Sequence, residues 1–192
     1  MRVQAGTDRV HAAVLGGGFL LVTIAGSSLH AEPKQPKPPP AAEYVGHVAS
    51  RSDSRFVIHI DAFTPDDAAN AIAVAGRDGN SNAIRTALGR LDAGFIKLGI
   101  RAYRVAYARR RRENEGVRII LILRNELESW EQTKALPIPP LAAVDVWLPD
   151  SGEGQAAISG VATVVFHSAD DVVITDWGEG TVPAFGLRER KH

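Results

Sequence analysis

Three groups of side chains in this sequence have types and spacings that could do chemistry. His47, His59 and Asp61 form the first. His59 and Asp61 are two residues apart, so on a strand they share a face, opposite Phe56, Ile58 and Ile60. If His47 reached in from a neighbouring strand, the three would offer the nitrogen and oxygen donors that zinc accepts. Side chains on the wetter face of a strand are more often simply solvated. Glu126, Glu128 and Glu131 around Trp130 form the second group. Carboxylates beside an aromatic ring are the parts of a glycosidase, in which an apolar neighbour keeps one acid neutral. Glu128 and Glu131 also stand one helical turn apart, as on many solvated helices. Trp130 on its own suits contact with a ligand or partner. The third group is the run Arg109, Arg110, Arg111 and Arg112. At a hairpin tip such a run would reach the phosphates of lipid headgroups or a polysaccharide. Glu113 and Glu115 follow directly and cancel part of its field.

Other motifs carry little. There is no Gly-x-Ser-x-Gly nucleophile elbow. Gly152-Glu153-Gly154 lacks the Lys-Ser/Thr of a phosphate loop, and Asp170, Asp171 and Asp176 do not have calcium-loop spacing. The absence of cysteine excludes disulfides, iron–sulfur clusters, thiolate zinc sites and a cysteine nucleophile. No cofactor is expected, and the balance leans away from an enzyme.

The 192 residues are enough for one well-buried domain and few for two. Lys plus Arg is 22 and Asp plus Glu is 22, so no basic excess points to nucleic acid. Residues 1–31 read as an export signal. Arg2 and Arg9 precede the uncharged stretch Ala12–Ala25, whose 14 residues are too few to span a bilayer as a helix. Ala31 suits cleavage, and Ser27 is a second possible site; the alternative is an uncleaved anchor, which three successive glycines weaken. Losing residues 1–31 would leave 20 bases and 21 acids, and no later segment apolar enough to cross a membrane. The expected location is the bacterial periplasm or the exterior. Residues 32–43 form a proline-rich linker, with five prolines between Glu32 and Ala42, extended as polyproline II. One β-rich domain follows over 44–187, then a basic tail over 188–192.

Within the domain, the pattern predicts a strand over Phe56–Asp61. Thr64-Pro65-Asp66-Asp67 opens a helix, with Thr64 as cap and Pro65 in the first helical position, running through Ala75. A second helix, capped by Asn80 or Ser81, runs to about Leu91, with Ile84, Ala87, Leu88 and Leu91 on its apolar stripe. Strands follow at Phe95–Leu98 and Ile100–Ala108, the latter with Tyr103, Val105 and Tyr107 on one face. Arg109–Gly116 reads as a charged hairpin loop. Val117–Leu123 suits a strand buried on both faces, and Asn125–Ala135 a short helix or irregular excursion. Val144, Val146 and Leu148 share one face of another strand. Ala156–Phe166 is a long strand bent at Gly160, and Val172–Trp177 comes after a turn. Short loops between successive strands imply an antiparallel meander. The expected fold is α+β and mostly β: a barrel or a sandwich with an early two-helix insertion. Phe56, Tyr103, Tyr107, Leu121, Val146 and Phe166 are its expected core.

Arg118–Leu123, Glu131, Val144-Asp145-Val146-Trp147-Leu148, Gly152-Glu153-Gly154 and, upstream, Tyr103–Tyr107 together resemble a family of small exported bacterial proteins of about 200 residues with no assigned activity. The family tends to carry Thr-Asp-Arg-Pro where this chain has Leu123-Arg124-Asn125-Glu126. The resemblance implies a helical segment ahead of a β-rich half, and export, and no reaction. The functional expectation is a non-enzymatic, envelope-associated binding module whose partner is an envelope protein, an anionic lipid or a polysaccharide. A carrier of a small apolar ligand in a barrel cavity, and a hydrolase using Glu126, Glu128 or Glu131, are the alternatives.

Overall fold

A computed structural model describes residues 39–49, 55–124 and 141–190. The chain runs β1 (Ala42–Val48), β2 (Arg55–Ile60), α1 (Asp66–Arg77), α2 (Ser81–Gly89), β3 (Gly94–Leu98), β4 (Arg101–Glu113) and β5 (Gly116–Leu123). It continues with β6 (Leu141–Pro149), β7 (Gly154–Phe166), β8 (Val172–Asp176) and β9 (Val182–Glu189). From β1 to β7 each strand pairs antiparallel with the next, as short connections favour. β9 then lies between β7 and β1, and so closes an eight-stranded antiparallel barrel. β8 pairs with β7 outside the ring. Of the two architectures expected, the barrel is the one formed. Among the described residues no helix is long and apolar enough to cross a membrane.

Eight strands enclose an interior just wide enough for side chains to fill. Tyr44, Phe56, Ile58, Ile60, Ile96, Val105, Ile119, Leu121, Val144 and Val146 fill it, each fully buried. The alternation of β2 puts Phe56, Ile58 and Ile60 inside, as its period-2 pattern predicts. β5 is buried on both faces because a second core lies outside the barrel. There Ile120 and Ile122 meet the apolar stripes of α1 (Ala69, Ile72, Ala73) and α2 (Ile84, Leu88).

Strand β4 supplies both cores. Its pairing with β5 shifts register between Val105 and Tyr107. One extra residue there reverses the facing of everything that follows. Val105 and Ala108 point into the barrel, whereas Ala106 and Tyr107 point outward. Tyr107 therefore does not share a face with Tyr103 and Val105. It packs edge-on against Phe166, at a centroid distance of 5.7 Å and an interplanar angle of 86°, and both rings belong to the outer core. The same bulge corrects the reading of the arginines. Arg109–Glu113 is strand, and the hairpin turn is only Asn114-Glu115.

Two helix ends differ from expectation. Pro65 is the N-cap of α1, and no side chain caps this helix. Thr64 is only 4% exposed, and it extends the sheet instead. Its backbone N–H donates to the Ala108 carbonyl at 2.8 Å, and its Oγ1 accepts the Ala108 N–H at 3.0 Å. β3 pairs with β4 only as far as Val105, so Thr64 takes up the backbone groups that β3 leaves open. α2 is capped by Asn80, whose side chain accepts the Ala83 N–H at 3.0 Å, and ends at Gly89 rather than near Leu91. The glycine-rich stretch after Trp177 contains the closing strand. Gly186, at φ +66°, breaks the alternation of β9, so that Ala184 and Leu187 both point inward although they are three residues apart. The ladder also takes in Ala42 ahead of Tyr44, and Arg188 and Glu189 beyond Leu187.

Two consequences can be measured. Thr64→Val keeps the shape but leaves the buried Ala108 N–H without its acceptor. It is expected to lower unfolding stability by about 1–3 kcal/mol in urea titration. The Tyr44 and Tyr107 hydroxyls are buried with no hydrogen-bond partner among the described residues, and burial raises both pKa values above the usual 10.0. Above that pH the unfolded chain sheds protons that the native state keeps. The tyrosines' contribution to stability is therefore constant below about pH 10 and falls as pH rises beyond it. Melting across this range should show the fall, and the double variant Tyr44→Phe/Tyr107→Phe should flatten it without losing stability at neutral pH.

Candidate functional site

The reversed register after Val105 sends Arg109, Arg111 and Glu113 to the outer surface. Pairing across three strands builds a small grid there. Arg109 stands beside Ile120 and then Asp145, and Arg111 stands beside Arg118 and then Trp147. Arg118, Asp145 and Trp147 were not singled out as site residues. The alternation of Val144, Val146 and Leu148 already places Asp145 and Trp147 on the opposite, outward face of β6.

Each arginine has a distinct partnership. The Arg109 side chain is 15% exposed. Its Nη1 donates to Asp66 Oδ1 at 2.7 Å and to the Thr64 carbonyl at 2.9 Å, and its Nη2 pairs with Asp170. Burial opposes its charge, but the two carboxylates outweigh burial and hold its pKa above the usual value. It joins β4 to the start of α1 and to the β7–β8 turn. In that turn Ser168 Oγ accepts the backbone N–H of Asp170 at 3.3 Å and of Asp171 at 3.0 Å, which presents both carboxylates to β4. Arg111 Nη2 donates to Glu113 at 2.6 Å, and its Nη1 reaches Asp171 at 3.5 Å. Arg118 grips Asp145 through two nitrogens, with Nε at 2.9 Å from Oδ1, and this contact raises its pKa despite burial. Arg112 belongs to the opposite row and holds Asp150 with two bonds of 2.6 Å. Arg110 is exposed in that row, and its charge opposes the burial that raises the Tyr44 pKa.

Arg111, Glu113, Asn114, Glu115, Arg118 and Trp147 line an open cleft of about 620 Å³ on this face. Two guanidinium groups and two carboxylates balance in its lining. An indole and an amide complete it.

The histidine group has a different structure from the one expected. His47 lies opposite Arg55 and is not the neighbour of His59; Glu43 is. His59 Nδ1 is 3.2 Å from Glu43 and Nε2 is 3.4 Å from Asp61, and the ring stacks on Phe95 at 4.7 Å. Glu43 also pairs with Arg190 at 3.0 Å. Among the described residues no three His, Asp or Glu side chains converge as metal ligands. Glu126, Glu128, Trp130 and Glu131 lie outside the described residues.

The arginines should separate by role in stability measurements. Arg109→Ala removes a shielded contact to three acceptors and is expected to cost about 1–2 kcal/mol. Arg112→Ala breaks an exposed pair and should stay within about 0.5 kcal/mol. Chemical denaturation of the two variants side by side measures the difference.

No protein-family profile, curated protein or solved structure matches this chain.

Proposed function

We propose that the chain is an exported, envelope-associated binding module that performs no covalent chemistry and holds an uncharged, hydroxyl-rich polysaccharide in the cleft beside Trp147. The charge balance of the cleft carries this reading. Each guanidinium already has carboxylate partners: Arg111 has Glu113 and Asp171, and Arg118 has Asp145. An anionic ligand would have to compete with them. A neutral sugar need not, because its hydroxyls can both donate to the carboxylates and accept from the guanidinium groups. The half-buried indole offers a flat apolar surface for the C–H face of a sugar ring.

Two further features support the reading. The barrel interior is occupied by its own side chains, so binding is assigned to the outer surface rather than to an apolar ligand within. The leader-like residues 1–31 and the proline-rich stretch that precedes β1 suit delivery to the envelope on a stiff spacer.

The test is calorimetric titration of the full chain with neutral and anionic oligosaccharides. Neutral chains should bind, with little dependence on salt. Trp147→Ala should weaken them at least about tenfold, as loss of a central aromatic anchor does. Absence of binding to neutral sugars, or binding that collapses as salt is raised, would remove this proposal.

A further inference from the structure

We infer that the β3–β4 hairpin and the outer face beside it form a docking surface for an anionic lipid layer. This surface is independent of the Trp147 cleft. The hairpin turns at Gly99-Ile100, and the Ile100 side chain is 99% exposed. A fully exposed isoleucine at a convex tip buries nothing in the protein itself. Basic residues surround it. Arg101 follows directly and is exposed. Arg55 is fixed beside the turn, because its carbonyl accepts the Gly99 N–H at 3.1 Å. Lys97 lies on the same outer face, paired with Val57.

Arg55, Val57, Phe95, Lys97, Gly99, Glu43 and Arg190 line a cleft of about 270 Å³ that opens next to the tip. Glu43 and Arg190 pair with each other there. Arg55, Lys97 and Arg101 have no ion-pair partner among the described residues, in contrast to Arg109, Arg111 and Arg118. Cations without carboxylates, gathered about one projecting apolar side chain, match the chemistry of a membrane surface. Headgroup phosphates meet the cations, and the apolar tip enters the layer beneath them. A protein partner would instead need a broad complementary patch of roughly 800 Å² on each side. A single convex tip does not supply one, whereas a deformable lipid layer accommodates it.

The lack of cysteine allows a clean test, because Ile100→Cys and, as a control, Asn114→Cys can each carry one environment-sensitive dye on the full chain. Each labelled protein is mixed with phosphatidylcholine vesicles made with and without phosphatidylglycerol. The dye at position 100 should brighten and shift to the blue only with the anionic vesicles, and the dye at position 114 should not. Each basic side chain near such a surface contributes about fivefold to partitioning, so Arg55→Glu/Lys97→Glu should lower the apparent affinity at least about 25-fold. Both positions are exposed, and circular dichroism checks that the variant is folded. The inference is overturned if position 100 stays dark with anionic vesicles, if it brightens equally with neutral ones, or if the response survives the double charge reversal. Because this response depends on salt and on the β3–β4 tip, it fails or succeeds independently of sugar binding at Trp147.

Discussion

The single extra residue in β4 decides where the charged half of that strand goes. Past the shift, Arg110 and Arg112 take the row of Ala108, where both are exposed, and Arg109 and Arg111 face the outer surface. The register shift turns them outward, turns Tyr107 onto Phe166, and gives the helices an apolar surface to cover. Thr64 secures the strand just past the shift by bonding both backbone groups of Ala108. The guanidinium of Arg109 then reaches back to the Thr64 carbonyl. Helix, bulge and cationic grid are thus one connected arrangement.

The outer surface divides its charges unevenly as a result. Around β4 to β6, Arg109, Arg111, Arg112 and Arg118 are matched by Asp66, Glu113, Asp145, Asp150, Asp170 and Asp171. Near the β3–β4 turn the cations stand without such matches. A chain with equal totals of acid and base can therefore still present one face that attracts anions and another that does not. The two surfaces lie toward opposite ends of β4, whose thirteen residues span roughly 40 Å.

Regular periodicity made much of this fold legible in the residues alone. The alternation of β2, the doubly apolar run of β5 and the stripe of α2 each led to the element that forms. Irregularity hid the rest. Four consecutive arginines erase the alternation of β4, because Arg110, Arg111 and Arg112 meet water on both faces, so the segment reads as a loop. Tyr107 and Phe166 were correctly expected to be buried, but the shift at Val105 moves Tyr107 to a second core that no single-strand pattern announces. β9 was obscured by Gly186 for the same reason. The site was partly legible. Asp145 and Trp147 follow from the spacing of Val144, Val146 and Leu148, whereas the pairing of His59 with Glu43 depends on strand register.

The closing strand has a consequence for how the molecule comes into being. β9 joins β1 and β7, and the Arg190–Glu43 pair spans 147 positions of sequence. Until β9 is available, β1 and β7 each present an unpaired edge, and the ring stays open. A ring sealed by its last strand delays its longest-range contacts to the end, and topologies rich in such contacts fold slowly. The molecule therefore gains its rigidity late and in one step, when β9 enters between β1 and β7.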